Sequence, residues 1–449
     1  MTVVIKSKEK ADLFAPWSEE YFGNFIRGLN GRDGIGGWRR TSFERALAAT
    51  TPSNRDEDFK YVNFRALKLD GLQPAIATWL PHGDGSPTTM LATGLDNVNL
   101  LPEEYHVAGV EHDPAKNIFF GSFAEAHERE PEKFTALLEF FQKSFLERKF
   151  AQFAHAFLSA GAYLHIQKDT AESNPRQIYT RLNGANKLTA FATVAQLESN
   201  SRGSLVWDID ADPAASGLTN GTLDVVVGAG SHLNLLLTQH LSEQLSSVTT
   251  VRIHLERDSM LELATIASGG LVHQTEIDIK FAGPGARALV NGVYLGRRRE
   301  NFNLLTHQDH QVGNTNSDLF YIGTLSGQSS SNYLGKITIA RDAQRSDAYQ
   351  KNRNLILNKG CAVNSSPKLE IGANDVRCTH GATTTKVSDL EMFYLRSRGI
   401  DYLTGKVLLA DGFIAQVTPR IKSELLQNGF ARRLDALLYR WGADETDSV

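Results

Sequence analysis

Residues 367–383 read Pro-Lys-Leu-Glu-Ile-Gly-Ala-Asn-Asp-Val-Arg-Cys-Thr-His-Gly-Ala-Thr, and residues 393–399 read Phe-Tyr-Leu-Arg-Ser-Arg-Gly. The segment falls where a strand-like part of the chain gives way to a helical tail. Leu369 and Ile371 alternate with polar neighbours. If that alternation continues as one strand, Val376, Cys378 and His380 share a row, because successive strand residues point to opposite faces. A thiolate and an imidazole so placed can grip one soft metal or cluster together. By spacing alone the signal is weak, since a closed site needs about four ligands and a buried cysteine often serves packing.

Upstream, from about Ala162, short runs of Val, Ile, Leu and Thr are broken by Gly, Asn and Asp. They fall at 204–210, 223–227, 232–237, 249–255, 260–266, 276–281, 288–295, 303–307 and 332–339. Short strands at such regular spacing indicate an all-β body. Only Pro213 and Pro284 interrupt residues 177–366, so little opposes strand pairing. Hairpin signals are thin: Asn-Gly occurs at Asn220-Gly221 and Asn291-Gly292, and only the second lies in an apolar run. Stacked coils fit that pattern, but no exact repeat shows, so sandwich and solenoid both remain open.

The flanks read as helical. Ser18 can cap a helix with Glu19 and Glu20 in its first turn and Trp17 and Phe22 as a hydrophobic staple; Thr41 with Glu44 suggests a second capping box. Residues 63–121 carry scattered Gly and Pro and read as irregular or short-stranded. Phe134, Leu137, Leu138, Phe141 and Phe145 recur at helical spacing after Pro131, and Phe150, Phe153, Ala154 and Phe157 form a further run that Gly161 should stop. These stripes read as core. Beyond Thr385, Ser388 with Glu391 opens a helix ended by Gly399. A second carries Leu403, Val407, Ala410, Ile414 and Val417 up to Pro419. A third places Leu426, Phe430, Leu434, Leu437, Leu438 and Trp441 on one stripe, with Arg432, Arg433, Asp435 and Arg440 elsewhere and residues 444–449 as a fraying tail.

The formal charge of −4 over 449 residues gives no electrostatic reason to expect nucleic acid or an anionic membrane as partner. Two cysteines, Cys361 and Cys378, make no disulfide framework and suit a reducing compartment. The opening Met1-Thr-Val-Val-Ile-Lys lacks the apolar run of a signal peptide. A cytoplasmic protein is expected, and a mature plastid stromal form would read the same.

Other candidate chemistry is weaker. His307-Gln-Asp-His310 looks metal-like, yet His307 and Asp309 would share one strand face and His310 the other. Cys361 follows Gly360 in a turn and reads as a structural thiol. Gly335-Lys336-Ile337 lacks the Ser or Thr after the lysine of a phosphate loop, Gly228-Ala-Gly230 lacks the third glycine of a dinucleotide motif, and Ser326 is misplaced for a nucleophile elbow. Asp208, Asp210, Glu256 and Glu276 keep open a rival from another class, a β-helix enzyme acting on polysaccharide.

Pro367-Lys-Leu-Glu-Ile, Asp375-Val-Arg-Cys-Thr-His-Gly-Ala-Thr and Phe393-Tyr-Leu-Arg-Ser-Arg-Gly-Ile resemble the C-terminal signature of the SufB/SufD family of iron–sulfur cluster assembly scaffolds. Asp342-Ala-Gln-Arg-Ser-Asp-Ala-Tyr-Gln-Lys-Asn-Arg-Asn-Leu is similar to that family's preceding run, and Arg55-Asp-Glu-Asp-Phe-Lys-Tyr resembles the N-terminal motif of its SufD branch. His380-Gly381 follows the SufD form, whereas Thr383-Thr-Thr-Lys-Val is closer to SufB. The resemblance implies a right-handed parallel β-helix core (162–385) between an N-terminal, mostly helical region (1–161) and a C-terminal helical domain (386–449). It also implies a non-catalytic scaffold, most like SufD, with a SufB-like scaffold as the alternative. Its partners would be SufB, through the β-helix core, and the SufC ATPase, through the C-terminal helices. No cofactor would be held tightly by the chain alone; iron or a nascent cluster would rest on His380 and Cys378 at the interface with SufB, which would supply the missing ligands.

Overall fold

In a computed structural model the described residues are 13–29, 35–64, 66–75, 78–81, 104–108, 117–145 and 148–446. The early strands are β1 (Gln73–Pro74), β2 (Thr78–Pro81), β3 (Glu104–Ala108), β4 (Ile118–Ser122), β5 (Leu158–Ile166), β6 (Arg176–Leu182) and β7 (Lys187–Leu197). Next come β8 (Arg202–Ala211), β9 (Ser216–Val227), β10 (His232–Leu241), β11 (Gln244–Leu255), β12 (Met260–Gly269), β13 (Val272–Phe281) and β14 (Arg287–Gly296). The last are β15 (Asn301–His310), β16 (Asn316–Leu325), β17 (Ser330–Ile339), β18 (Asp347–Ile356), β19 (Ala362–Ile371) and β20 (Arg377–Lys386).

From β5 onward the chain alternates between two sheets. One runs β4-β5-β7-β9-β11-β13-β15-β17-β19, with β1 beside β7; the other runs β2-β3-β6-β8-β10-β12-β14-β16-β18-β20. Successive strands of each sheet are parallel from β5 and β6 on. The result is a parallel β-helix of about 8 turns, not a sandwich. No exact repeat shows in the sequence because the coil length varies: Leu255 lies against Phe281, 26 residues on, and Ile339 against Ile371, 32 on.

What recurs is the corner. Asp169, Asn200, Gly230, Asp258, Gly285, Asn314 and Arg345, one per coil, all have φ between 55° and 80°. That left-handed region favours Gly, Asn and Asp. At four of these corners the next residue turns a hydroxyl back to a carbonyl three residues earlier: Ser201 to Glu198, Ser259 to Glu256, Thr315 to Val312 and Ser346 to Ala343, at 2.7–3.2 Å.

Inside the helix a column of Leu, Ile, Val, Phe and Trp207 fills the early coils, with Tyr294, Tyr321 and Tyr333 in the later ones. The two Asn-Gly pairs mark no hairpins. Asn220-Gly221 lies within β9 and Asn291-Gly292 within β14. A Cβ on Gly292 would come within 2.0 Å of the Tyr321 ring, so the glycine makes room for an aromatic in the next coil.

Helices flank both sheets: α1 (Glu19–Gly28), α2 (Gly36–Ala48), α3 (Phe123–Arg129), α4 (Pro131–Ser144), α5 (Lys149–Ala156), α6 (Asp389–Ser397), α7 (Tyr402–Ile414) and α8 (Glu424–Thr446). Ser18 caps α1 through the Tyr21 N–H, and Trp17 and Phe22 are both buried. The Thr41–Glu44 box does not form: α2 already begins at Gly36, and Thr41 turns its hydroxyl back to the Gly37 carbonyl. Gly161 does not stop α5. That helix ends at Ala156, and Gly161 sits in β5, where a Cβ would strike the Phe123 ring.

Phe14, Trp17, Phe22, Phe25, Phe43, Phe153 and Phe157 seat the N-terminal helices on Leu188, Ala190, Leu218, Val248 and Val272 of the first sheet. Most of residues 63–121, read as irregular, lies outside the described residues.

The α8 stripe Leu426, Phe430, Leu434, Leu437 and Leu438 packs on Val206, Leu236, Ala264, Ile266, Val293, Phe320 and Ile322 of the second sheet. The side chains of Arg440 and Trp441 lie outside the described residues. The helix runs on to Thr446, past the start expected for the tail. Glu262 accepts from the backbone N–H groups of Lys422 and Ser423 (2.9 Å for Ser423), placing a carboxylate at the positive end of α8. Arg433 lies off that stripe and is only partly exposed, its guanidinium held by both oxygens of Asp208.

Candidate functional site

The segment 369–380 is two strands, not one. Leu369 and Ile371 end β19 in the first sheet; a corner follows, and Cys378 and His380 belong to β20 in the second. Within β20 the row holds. Cys378 lies over Ala348 and His380 over Gln350, two buried residues facing the helix interior. Because β19 and β20 end their sheets, no further coil covers this row among the described residues. Cys378 is half-buried against Ile337, Ile339, Ala343, Ala348 and Leu369, while His380 is exposed.

Burial raises the Cys378 thiol above its ordinary pKa, and the neighbouring Asp347 carboxylate adds to the rise. The thiolate therefore forms readily only beside a cation, such as a metal ion, that displaces its proton. Among the described residues no group of three or more His, Cys, Asp and Glu is arranged to hold a metal ion. Cys378 and His380 offer two donors at an open end; further ligands have to come from elsewhere.

The other candidates are engaged in the fold. His307 faces outward, 2.9 Å from the Thr338 hydroxyl and 3.3 Å from Asp278, whereas His310 faces inward between Thr315 and Ser317 and stacks on Phe281. Desolvation lowers the His310 pKa to about 4, with His307 adding to the effect. Cys361 is half-buried against the core, its sulfur 3.7 Å from the Gly327 carbonyl. Lys336 lies within β17 and pairs with Glu370, in a strand and not in the loop-to-helix turn of a phosphate cradle. Of the carboxylates, Asp208 holds Arg433, Asp210 meets the Tyr179 hydroxyl, Glu256 accepts from the Ala229 N–H and Glu276 pairs with Arg148. Asp208 and Glu276 lie on opposite sheets.

Two features escaped the sequence reading. The Arg55–Tyr61 motif straps the N-terminal region to the first sheet. Arg148 joins Asp58 (2.9 Å) to Glu276 (3.1 Å), Glu57 pairs with Lys368 on β19 (2.7 Å), and Asn332 donates to the Tyr61 carbonyl. The second is an exposed apolar surface on α6 and α7: Leu390 (76%), Phe393 (69%), Tyr394, Tyr402 and Leu408. Helical spacing puts Leu390, Phe393 and Tyr394 on one face of α6, and all three are exposed.

Residues 180–413, 234 of 449, match the family described as SUF system FeS cluster assembly, SufBD core domain. The chain belongs to the SufBD family. It is 28% identical over 227 residues to the iron–sulfur cluster assembly protein SufD of Escherichia coli, covering 49% of this chain and 52% of that protein. It is also 28% identical over 218 residues to an iron–sulfur cluster assembly SufBD family protein of Mycobacterium leprae (47% and 56%). The iron–sulfur cluster assembly protein SufB of Bacillus subtilis is 22% identical over 279 residues (62% and 60%). The chain thus spans about half the length of the relatives it matches. The SufBD core match takes in β20 and the apolar surface of α6 and α7, both described above from geometry.

Proposed function

We propose that this SufBD-family chain is a SufD-like, non-catalytic scaffold that pairs with a SufB through the open end of its β-helix and docks a SufC ATPase on its C-terminal helices. The observation that carries the reading is the uncapped last coil, where β20 displays Cys378 and His380 beside an edge that has no neighbouring strand among the described residues. Iron or a nascent cluster is the cargo; neutral imidazole and thiolate are good ligands for it, and SufB supplies the remaining donors. His380-Gly381 supports the SufD rather than the SufB role.

Docking of SufC on α6 and α7 is supported by their exposed Leu390, Phe393, Tyr394, Tyr402 and Leu408, large apolar side chains left without cover in this chain. ATP hydrolysis belongs to that partner and rearranges the pair so that the assembly site opens. Co-expression with the SufB and SufC of the same organism tests the proposal. A complex containing all three supports it; no complex, together with cleavage of an acidic polysaccharide by the isolated chain, points to the rival enzyme.

A further inference from the structure

Between the Arg55–Tyr61 strap and the outer face of the first sheet lies a cavity of about 220 Å³. Asp58 and Arg148 line it from the N-terminal region, and Thr250 on β11, Glu276 and Asp278 on β13 and His307 on β15 line it from the sheet. Thr250 and Glu276 sit side by side in register at its base, only 3% and 4% exposed. Asp278 and His307, paired in the next outward row, keep 23% and 28% of their side-chain surface, so the cavity opens to solvent on that side. Leu305 and Leu334 add an apolar flank.

Most cations around the cavity are already engaged. Arg252 is held by Asp224 through two hydrogen bonds of 2.6 Å, Lys336 by Glu370 (2.8 Å), Lys368 by Glu57 (2.7 Å) and Lys280 by the Ser144 carbonyl. The carboxylates are not matched in the same way. Arg148 is shared between Asp58 (2.9 Å) and Glu276 (3.1 Å), and Asp278 lies close enough to act on both Arg148 and Glu276. Desolvation raises the Glu276 pKa; Arg148 opposes the rise, while Asp58 and Asp278 add to it. Three acceptors lack a hydrogen-bond donor among the described residues, even with Arg148 and His307 nearby: Glu276 Oε2, Asp278 Oδ1 and the Thr250 hydroxyl. A buried acceptor without a donor costs free energy, and a group of them in one cavity calls for a donor from outside the chain.

We infer that this cavity binds a small organic cation, a guanidinium or ammonium head on a short apolar stem, with the head donating to Glu276, Asp278 and Thr250 and the stem lying against Leu305 and Leu334. A guanidinium carries its N–H donors in a planar fork and has no acceptor, which matches a site whose open valences are acceptors. A bare metal ion fits less well, since among the described residues no group of three or more His, Cys, Asp and Glu is arranged to hold one. The site does not depend on the pairing proposed above: its acceptors stand on β11 and β13, and β15 and β17 separate β13 from the end strand β19.

Isothermal titration calorimetry of the full chain with n-butylguanidinium tests the site, with n-butylurea, an uncharged analogue of the same shape, as control. Saturable one-to-one binding of butylguanidinium is expected, and butylurea should bind roughly tenfold more weakly or worse, the factor that goes with losing a charge-assisted hydrogen bond. Glu276→Gln keeps the shape of the side chain but removes its charge, and should weaken butylguanidinium binding by a similar factor. Thr250→Val is nearly isosteric and deletes a hydroxyl that has no partner among the described residues, so it should melt like the wild type and bind about threefold more weakly. On the unaltered chain, millimolar butylguanidinium should raise the melting temperature and butylurea should not, a measurement that requires no variant to fold. Equal affinity for butylurea, unchanged affinity in both variants, or no saturable binding overturns the assignment.

Discussion

Replacing Arg433 by methionine tests whether the C-terminal helix is locked to the β-helix as described. The Arg433 guanidinium and the Asp208 carboxylate meet through two hydrogen bonds at side-chain exposures of 10% and 4%, and Asp208 also accepts from Thr238 and Gln177 (2.9 Å). Desolvation alone would raise the Asp208 pKa; Arg433 and these hydrogen bonds outweigh it and hold the carboxyl below its ordinary value. Removing one partner of a buried pair costs about 3–5 kcal/mol, because the other charge stays buried. Arg433→Met should fall near the lower figure, since Thr238 and Gln177 still serve Asp208, and Asp208→Ala near the upper, since it strands a guanidinium. The double variant Asp208→Leu/Arg433→Met should recover most of the loss.

Because the folded-state pKa is depressed, the pair's contribution is present above the ordinary aspartate value and is lost as pH falls through the folded value. Urea unfolding followed by far-UV circular dichroism, with amide exchange along α8, reads both effects. A loss below about 1 kcal/mol for Arg433→Met, or strict additivity in the double variant, would refute a buried, coupled pair.

Leu434→Asp puts a charge into the stripe against the second sheet and should release α8, seen as lost amide protection there; unchanged stability with lost partner binding would mean that the stripe faces the partner. Burial raises the Glu300 pKa to about 8 despite Arg297 and Arg298. The folded state then holds its proton through a range where the unfolded state has lost it, so stability falls between the ordinary glutamate value and about pH 8. Glu300→Gln should remove that slope and be more stable than the wild type by about 3 kcal/mol at pH 7; parallel pH profiles would contradict this. Phe393→Asp should leave the melting temperature nearly unchanged, because the ring is 69% exposed, yet weaken SufC capture; unaltered capture would clear α6 of the contact.

Strand alternation made most of the coils readable, for instance 232–237 within β10 and 332–339 within β17. The choice between sandwich and solenoid was not readable from pattern alone, because coil lengths differ and the repeating element is a backbone conformation spread over Asn, Asp, Gly and Arg345. The Asn-Gly pairs, thin as hairpin signals, serve packing: Gly292 clears the ring of Tyr321. Cys378 and His380 could be placed in one row because period-two reasoning is local, whereas the corner at 372–376 that moves them to the other sheet depends on stacking against the coil below. Arg433 and Arg148 gave no local signal at all. Their partners Asp208 and Glu276 are more than a hundred residues away, and only the folded chain brings them together.

The most direct test of the scaffold assignment is His380→Ala in a strain that depends on this pathway, with recovery of the complex with SufB and SufC followed in parallel. The account predicts an intact complex and failed rescue, since alanine offers iron no donor, with Cys378→Ala milder because the thiol also serves packing. Full rescue by His380→Ala alongside a normal complex would contradict it.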